Sequence, residues 1–131
     1  MMSKQRITAA VSILCLAGAC ASFDGTYRPD CMAHAGNRIT LQDGRFVWEK
    51  FTDQVRVNDA GEVVDPFPDY PLQGRYRIED DIVHFEPDTG QPLADMHLQR
   101  EGQKTYLLTG RQLQSWPSTR PRCPLALEST L

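Results

Sequence analysis

The chain has 131 residues, of which 14 are lysine or arginine and 17 are aspartate or glutamate, so its formal net charge at pH 7 is −3. The chain has no basic run. This excludes the Lys/Arg stripe typical of nucleic-acid binding and the basic patch that attracts anionic lipid headgroups.

Residues 1–19 have the order of a secretory signal peptide. Lys4 and Arg6 form a positive segment, and a mostly apolar run and the small residues 17–19 follow. The apolar run is shorter than the roughly 20 residues that a membrane-spanning helix needs. We predict that the signal is removed and leaves a single β domain of residues 20–131. Its net charge is −5, because Lys4 and Arg6 are lost.

Two interpretations of the cleavage site stay open. Ala17 and Ala19 suit an ordinary signal peptidase, which would release a secreted or soluble periplasmic protein. Residues 16–19 before Cys20 also resemble a bacterial lipobox, whose cysteine carries a diacylglycerol. A lipobox usually has leucine three residues before that cysteine, and here Ala17 holds the position.

The number of cysteines favours a lipid anchor at Cys20. Cys15 leaves with the signal, so ordinary cleavage would leave three cysteines, one of them an unpaired thiol. Lipidation of Cys20 leaves Cys31 and Cys123, which an oxidising compartment favours as a disulfide. By resemblance to Gram-negative lipoproteins, Ala21 in place of aspartate implies sorting to the outer membrane. We expect the domain to face the periplasm.

The first predicted elements after the anchor are short strands. Residues 24–28 are predicted to form the first strand, and Asp43-Gly44 a hairpin turn of a favoured type. A two-residue turn there predicts two apolar cross-strand pairs on one face: Leu41 with Phe46, and Ile39 with Trp48.

A pair of shorter strands and a proline-rich segment come next. Residues 55–57 are predicted to pair with residues 62–64. Three prolines stiffen residues 65–71 and keep them out of a sheet interior. Phe67 and Tyr70 in this segment are candidate partner-binding residues, because rigid exposed aromatics concentrate contact energy. In the alternative interpretation, the two rings cover one mouth of the barrel and complete its core.

Two further hairpins are predicted from the same alternation of apolar and polar residues. Asp80-Asp81 is the turn of the second hairpin, and Glu101-Gly102-Gln103 is the turn of the third. The predicted cross-strand pairs are Ile78 with Val83, Tyr76 with Phe85, Leu98 with Tyr106, and Met96 with Leu108.

The C-terminal part adds one helical turn and the second cysteine of the predicted disulfide. Residues 109–116 are predicted to form a short helix that Pro117 ends. Cys31 follows the first strand and Cys123 lies in the last segment, so a Cys31–Cys123 bridge would tie the two ends of the domain together.

The number and spacing of these elements predict an all-β fold. We expect a small antiparallel meander or an up-and-down barrel, closed or half closed, of about six to eight strands with one short helix near the C-terminus. Large residues are predicted to face inward and to fill the interior: Tyr27, Phe46, Trp48, Tyr76, Phe85, Met96 and Tyr106.

The sequence contains no catalytic signature. No nucleophile elbow, zincin motif or phosphate-binding glycine loop is present, so we predict no enzyme activity, catalytic residue or cofactor. His84, His97 and Asp95 are predicted to share one polar face, with His84 opposite Asp95. A metal site needs three or four convergent ligands, so we predict two solvated histidines rather than a metal site. His34 has no evident partner.

Three short motifs carry a family resemblance: Gly25-Thr26-Tyr27, Leu41-x-x-Gly44-x-Phe46 and Gly74-x-Tyr76. Together they resemble the small lipocalin-like barrels of bacterial envelope lipoproteins, including the N-terminal domain of the copper-responsive lipoprotein and the META-type domains. The chain lacks the C-x-x-C of the copper-responsive protein and the Ser-Gly-Ser-Gly-type loop of membrane-bound lysozyme inhibitors. Metal sensing and lysozyme inhibition are therefore not implied.

Two functions remain from this reasoning. The first is a monomeric, non-enzymatic lipoprotein with a structural or interaction role toward an envelope protein partner. The alternative is a lipocalin-like lipoprotein that binds a small ligand inside the barrel. The large inward-facing side chains favour the first.

Overall fold

The computed structural model describes residues 22–128 of the chain, which contain ten strands and one short helix. The strands are β1 (Gly25–Pro29), β2 (Ala35–Gln42), β3 (Arg45–Thr52), β4 (Arg56–Val57), β5 (Val63–Val64), β6 (Leu72–Glu79), β7 (Ile82–Pro87), β8 (Met96–Glu101), β9 (Lys104–Leu108) and β10 (Leu125–Leu127). The helix α1 (Gly110–Ser115) lies between β9 and β10.

Eight strands form a closed antiparallel barrel in the order β1-β2-β3-β6-β7-β8-β9-β10. The last strand returns to pair with the first, with Tyr27 opposite Leu127, and this pairing closes the sheet. β4 and β5 pair with each other, as predicted, but they form a two-stranded ribbon that is separate from the barrel. The predicted all-β barrel with one short helix near the C-terminus is confirmed, and the barrel is closed.

The first two predicted hairpins have the predicted register. Leu41 lies opposite Phe46 and Ile39 opposite Trp48. The Tyr76–Phe85 and Ile78–Val83 pairs are likewise present. Both central residues of each turn have positive φ, in Asp43-Gly44 and in Asp80-Asp81. Positive φ at both positions defines the type I′ turn, whose twist matches that of the flanking strands.

The predicted register of the third hairpin is wrong by one residue. The turn is the two-residue Gly102-Gln103, with φ of 61° at Gly102, so Leu98 lies opposite Leu107 instead of Tyr106. A shift of one residue exchanges the two faces of a strand. Leu107 therefore faces the barrel interior, and Tyr106, which was predicted to face inward, lies on the outer face of β9.

The barrel interior is filled with side chains. The buried core cluster consists of Tyr27, Ile39, Leu41, Phe46, Leu72, Val83, Phe85, Met96, Leu98, Leu107 and Leu125. The Phe46 and Phe85 rings meet edge to face, with centroids 5.0 Å apart, an arrangement that adds to the apolar area they bury. Trp48 and Tyr76 are partly buried against this cluster.

A second layer of packing covers the outer face of β9. Tyr106 and Leu108 are buried there although they point away from the barrel interior. Helix α1 packs on β8 and β9, and the Trp116 ring after it lies 5.0 Å from the Tyr106 ring. The Thr109 hydroxyl caps α1 by accepting a hydrogen bond from the Gln112 backbone, and Trp116 ends the helix just before Pro117, as predicted.

The up-and-down topology gives the barrel two different ends. At one end, called the turn end here, lie the three tight hairpin turns and residues 22–24, which lead into β1. At the other end, the loop end, lie the four long connections, residues 30–34, 53–71, 88–95 and 109–124. The Cys31–Cys123 disulfide, with an S–S distance of 2.02 Å, joins two of these connections.

Candidate functional site

The proline-rich segment lies at the loop end and packs against the barrel. Phe67 and Tyr70 are half-buried, and Tyr70 packs against the buried core. The ammonium group of Lys50 on β3 lies 4.6 Å from the Tyr70 ring centroid and 5.9 Å from that of Phe67. Such cation–π contacts stabilise both partners modestly. The two rings therefore help to hold the segment on the barrel, and their role in partner binding stays a prediction.

The local turn chemistry explains why this segment is ordered. The Phe67 backbone N–H donates a hydrogen bond to the Asp65 carboxylate at 2.9 Å. The Tyr70 N–H donates to the Phe67 carbonyl at 3.0 Å. Aspartate commonly accepts from the backbone two residues ahead, which bends the chain in the same way as a backbone turn.

The ribbon of β4 and β5 projects from the same connection and carries an apolar face. Val57 lies opposite Val63 across the ribbon, and Val55 lies two residues before Val57. The exposed fractions of the Val55, Val57 and Val63 side chains are 74%, 60% and 75%. Sequence reasoning found the strand pairing but did not identify this exposed face. The sequence pattern that could have indicated the exposed face is a pair of short valine-rich strands with no third strand next to them to cover the valines.

A compact turn rigidifies the ribbon. The Asn58 side-chain oxygen accepts hydrogen bonds from the backbone N–H groups of Ala60 and Glu62. The Asn58 N–H donates to the Glu62 carbonyl, and the Gly61 N–H donates to the Asn58 carbonyl, both at 3.0 Å. Gly61 has φ of 78°, a conformation that glycine adopts without a steric cost.

At the turn end, two tyrosines hold the residues that precede β1. The buried Tyr27 hydroxyl donates to the Phe23 carbonyl at 2.7 Å, and the Tyr76 hydroxyl donates to the Asp24 carboxylate. Burial raises the pKa of the Tyr27 phenol well above its usual range. Burial and the hydrogen bond to Asp24 raise the pKa of Tyr76 in the same way. Residues 23 and 24 are therefore attached directly to the barrel.

The predicted His84–Asp95 contact is present. Strand pairing between β7 and β8 puts Nδ1 of His84 3.0 Å from Oδ1 of Asp95. His97 lies opposite Ile82 on β7. His34, for which the sequence showed no partner, lies 3.3 Å from the Asp53 carboxylate. Within residues 22–128, no group of three or more His, Cys, Asp or Glu side chains is arranged to hold a metal ion.

Surface depressions are present at both ends of the barrel. A cavity of about 180 Å³ at the loop end is lined in part by Asn37, Met96 and Leu125. Its volume is below the roughly 300–1,000 Å³ of typical small-molecule pockets. A wider depression of about 840 Å³ at the turn end is open to solvent, with Asp24, Lys104 and Glu128 among its lining residues.

The signal segment and the predicted lipid anchor Cys20 lie outside the described residues. Across residues 22–128, no helix is long and apolar enough to cross a membrane.

Comparison with known proteins gives no relative for this chain. No family model, no curated protein and no solved structure matches it.

Proposed function

We propose that this chain is a lipoprotein of the bacterial envelope, anchored through Cys20 to the outer membrane and facing the periplasm. Its β-barrel domain has a non-enzymatic role as an interaction or structural module toward an envelope protein.

The filled interior is the observation that carries this proposal. Large side chains such as Tyr27, Phe46 and Phe85 occupy the space in which a lipocalin-like barrel would hold its ligand. A barrel of eight strands is just wide enough either to be filled by side chains or to hold one small ligand. The filled state favours recognition at the surface over the alternative of an interior ligand.

The cysteine pairing supports the lipid anchor. The Cys31–Cys123 disulfide uses two of the three cysteines that follow the signal segment. Cys20 is then the cysteine left for modification. A disulfide also fits an oxidising compartment such as the periplasm.

An anchor at Cys20 would orient the barrel. Phe23 is fixed to the barrel by Tyr27, and only two residues lie between Cys20 and Phe23. An extended chain spans at most about 3.6 Å per residue, so the turn end would lie within roughly 10 Å of the lipid. The loop end, with Phe67 and Tyr70, would face away from the membrane.

The anchor is tested by mass spectrometry of the N-terminal peptide after expression in a Gram-negative host. We expect a peptide that begins at Cys20 and carries two or three acyl chains, and a protein found in the membrane fraction. The Cys20→Ala variant should carry no acyl chain. A soluble wild-type protein that begins at Cys20 with a free thiol would contradict the proposal.

Native mass spectrometry of the detergent-extracted, delipidated domain tests the role of the interior. We expect the mass of a monomer with no bound small molecule. An additional mass that persists until the protein is denatured would instead support the ligand-binding alternative.

A further inference from the structure

The β4–β5 ribbon exposes large apolar side chains to solvent. We define the valine arm as residues 53–65, and its apolar face as Val55, Val57 and Val63. The three side chains are mostly exposed, and within the described residues the ribbon pairs only with itself. Because the turn at Asn58 is closed by five hydrogen bonds, this face is held in place before any partner binds.

The connection that carries this face is acidic. Five acidic residues and one arginine lie in residues 53–71, which gives this connection a net charge of −4. The acidic residues are Asp53, Asp59, Glu62, Asp65 and Asp69. The remaining residues from Cys20 to the end sum to −1. Four fifths of the net charge of the mature chain is therefore on the connection that carries the exposed valines.

We propose that the valine arm docks onto a protein surface that has an apolar centre and a rim of lysine and arginine side chains. This inference deepens the proposed interaction role and rests on it. Apolar contacts at the centre of an interface supply affinity. The acidic residues of the same connection attract a basic rim and raise the rate of encounter.

The same charges argue against two other occupants. A second copy of the chain would bring two connections of charge −4 together, and like charges in contact reduce affinity. An anionic lipid surface attracts basic segments and would repel this one. With the anchor at the turn end, the valine arm would also be on the far side of the barrel from the membrane.

The position is tested with a photo-crosslinking amino acid at residue 57 of the full, lipidated chain in membranes from the expressing cells. We expect an adduct with a second protein whose crosslinked peptide contains lysine or arginine beside apolar residues. The same photo-crosslinker at residue 81, in the turn end, should not give this adduct.

Matched variants separate the apolar contribution from the charge contribution. Thr has nearly the shape of Val, so the triple variant Val55→Thr, Val57→Thr and Val63→Thr keeps the ribbon and removes its apolar character. For this triple variant the photo-crosslinker is moved to residue 60, and residue 60 in the otherwise unchanged chain is its reference. We expect at least a tenfold loss of adduct, whereas Val47→Thr on the barrel wall should leave the yield unchanged.

The charge contribution is measured with Asp59→Asn and Glu62→Gln. We expect the double variant to lower the adduct about threefold to tenfold, and Glu86→Gln on β7 to leave it unchanged. A competing peptide of alternating lysine and valine should reduce the adduct, and one of alternating glutamate and valine should not.

Failure of the docking surface and failure of the lipoprotein proposal give different results in these experiments. An adduct of the chain with itself, an adduct with lipid alone, or no adduct from a correctly anchored chain would overturn the docking surface and leave the lipoprotein proposal standing. If the wild-type chain is not anchored, the lipoprotein proposal fails. The crosslinking is then carried out on the soluble fraction and is judged by the same criteria.

Discussion

At the scale of single residues, the two turn-end tyrosines couple stability to pH. The Tyr27 phenol is fully buried, and burial raises its pKa above the ordinary value of about 10. An unfolded chain releases this proton at lower pH than the folded chain does. The contribution to stability is therefore complete below pH 10 and is lost as the pH rises above it.

The expected result is a fall in the free energy of unfolding that begins near pH 10. One tyrosine that keeps its proton in the folded state lowers the free energy of unfolding by about 1.4 kcal/mol for each pH unit above 10. Urea unfolding between pH 8 and pH 11.5 measures it. Tyr27→Phe should cost about 1 kcal/mol at pH 8, because it loses the hydrogen bond to Phe23, and should have a shallower slope above pH 10. Equal slopes for the two proteins would contradict this assignment.

At the scale of strands, Gly74 permits the close approach of β6 and β7. A Cβ atom at this position would lie 2.2 Å from the Glu86 carbonyl oxygen and 2.6 Å from the Pro87 Cα. Both atoms belong to the backbone of β7, so no change of a neighbouring side-chain rotamer can make room for a Cβ at position 74. Gly74 also lies opposite the buried Phe46, so any displacement reaches the core.

We expect Gly74→Ala to destabilise the domain by about 2 kcal/mol or more, in the range typical of overpacked cores. Gly110→Ala is the matched control. Its Cβ would lie 3.7 Å from the His97 ring, an ordinary contact distance, so we expect this variant to be about as stable as the wild type. Thermal unfolding of both variants measures the difference. A Gly74→Ala protein as stable as the wild type would show that the strands separate freely there.

At the scale of the whole molecule, the disulfide links two loop-end connections that are 92 residues apart in sequence. Closure of so long a loop removes many conformations from the unfolded chain, worth about 4 kcal/mol in the chain-entropy description. This is a large share of the stability of a small domain.

Reduction should therefore lower the free energy of unfolding by about 4 kcal/mol. Urea unfolding of a Cys20→Ser chain with and without a reducing agent measures the loss. A Cys31→Ser/Cys123→Ser variant should match the reduced protein and should not respond to the reducing agent. An unchanged midpoint on reduction would contradict the proposed contribution.

The third hairpin shows where sequence reasoning about the fold reached its limit. In the first two hairpins one face of each strand is clearly apolar and the turn residues favour a two-residue loop. On β9, Tyr106, Leu107 and Leu108 are all buried, because the barrel covers one face of the strand and the C-terminal segment covers the other. Alternation cannot assign the register of a strand that is buried on both faces. Gly102 suits either turn length.

The candidate site shows a similar limit. The stiffness of residues 65–71 follows from the prolines, but the packing of Tyr70 and the position of Lys50 over both rings depend on β3. The pairing of residues 55–57 with residues 62–64 could be predicted, although not the register that places Val57 opposite Val63. Their exposure could not, because it depends on whether another strand covers the ribbon.

The sequence by itself determined the local features of this protein. These are the signal-like segment, the short helix, the strand class and two hairpin registers, because each depends on neighbouring residues and on alternation. The cysteine pair followed instead from the number of cysteines and from an oxidising compartment. Tertiary structure alone decided the closure of β1 on β10, the pairing of β3 with β6 past the valine arm, and the separation of turn end from loop end. Those contacts join residues far apart in the chain, and which faces they bury depends on the whole sheet.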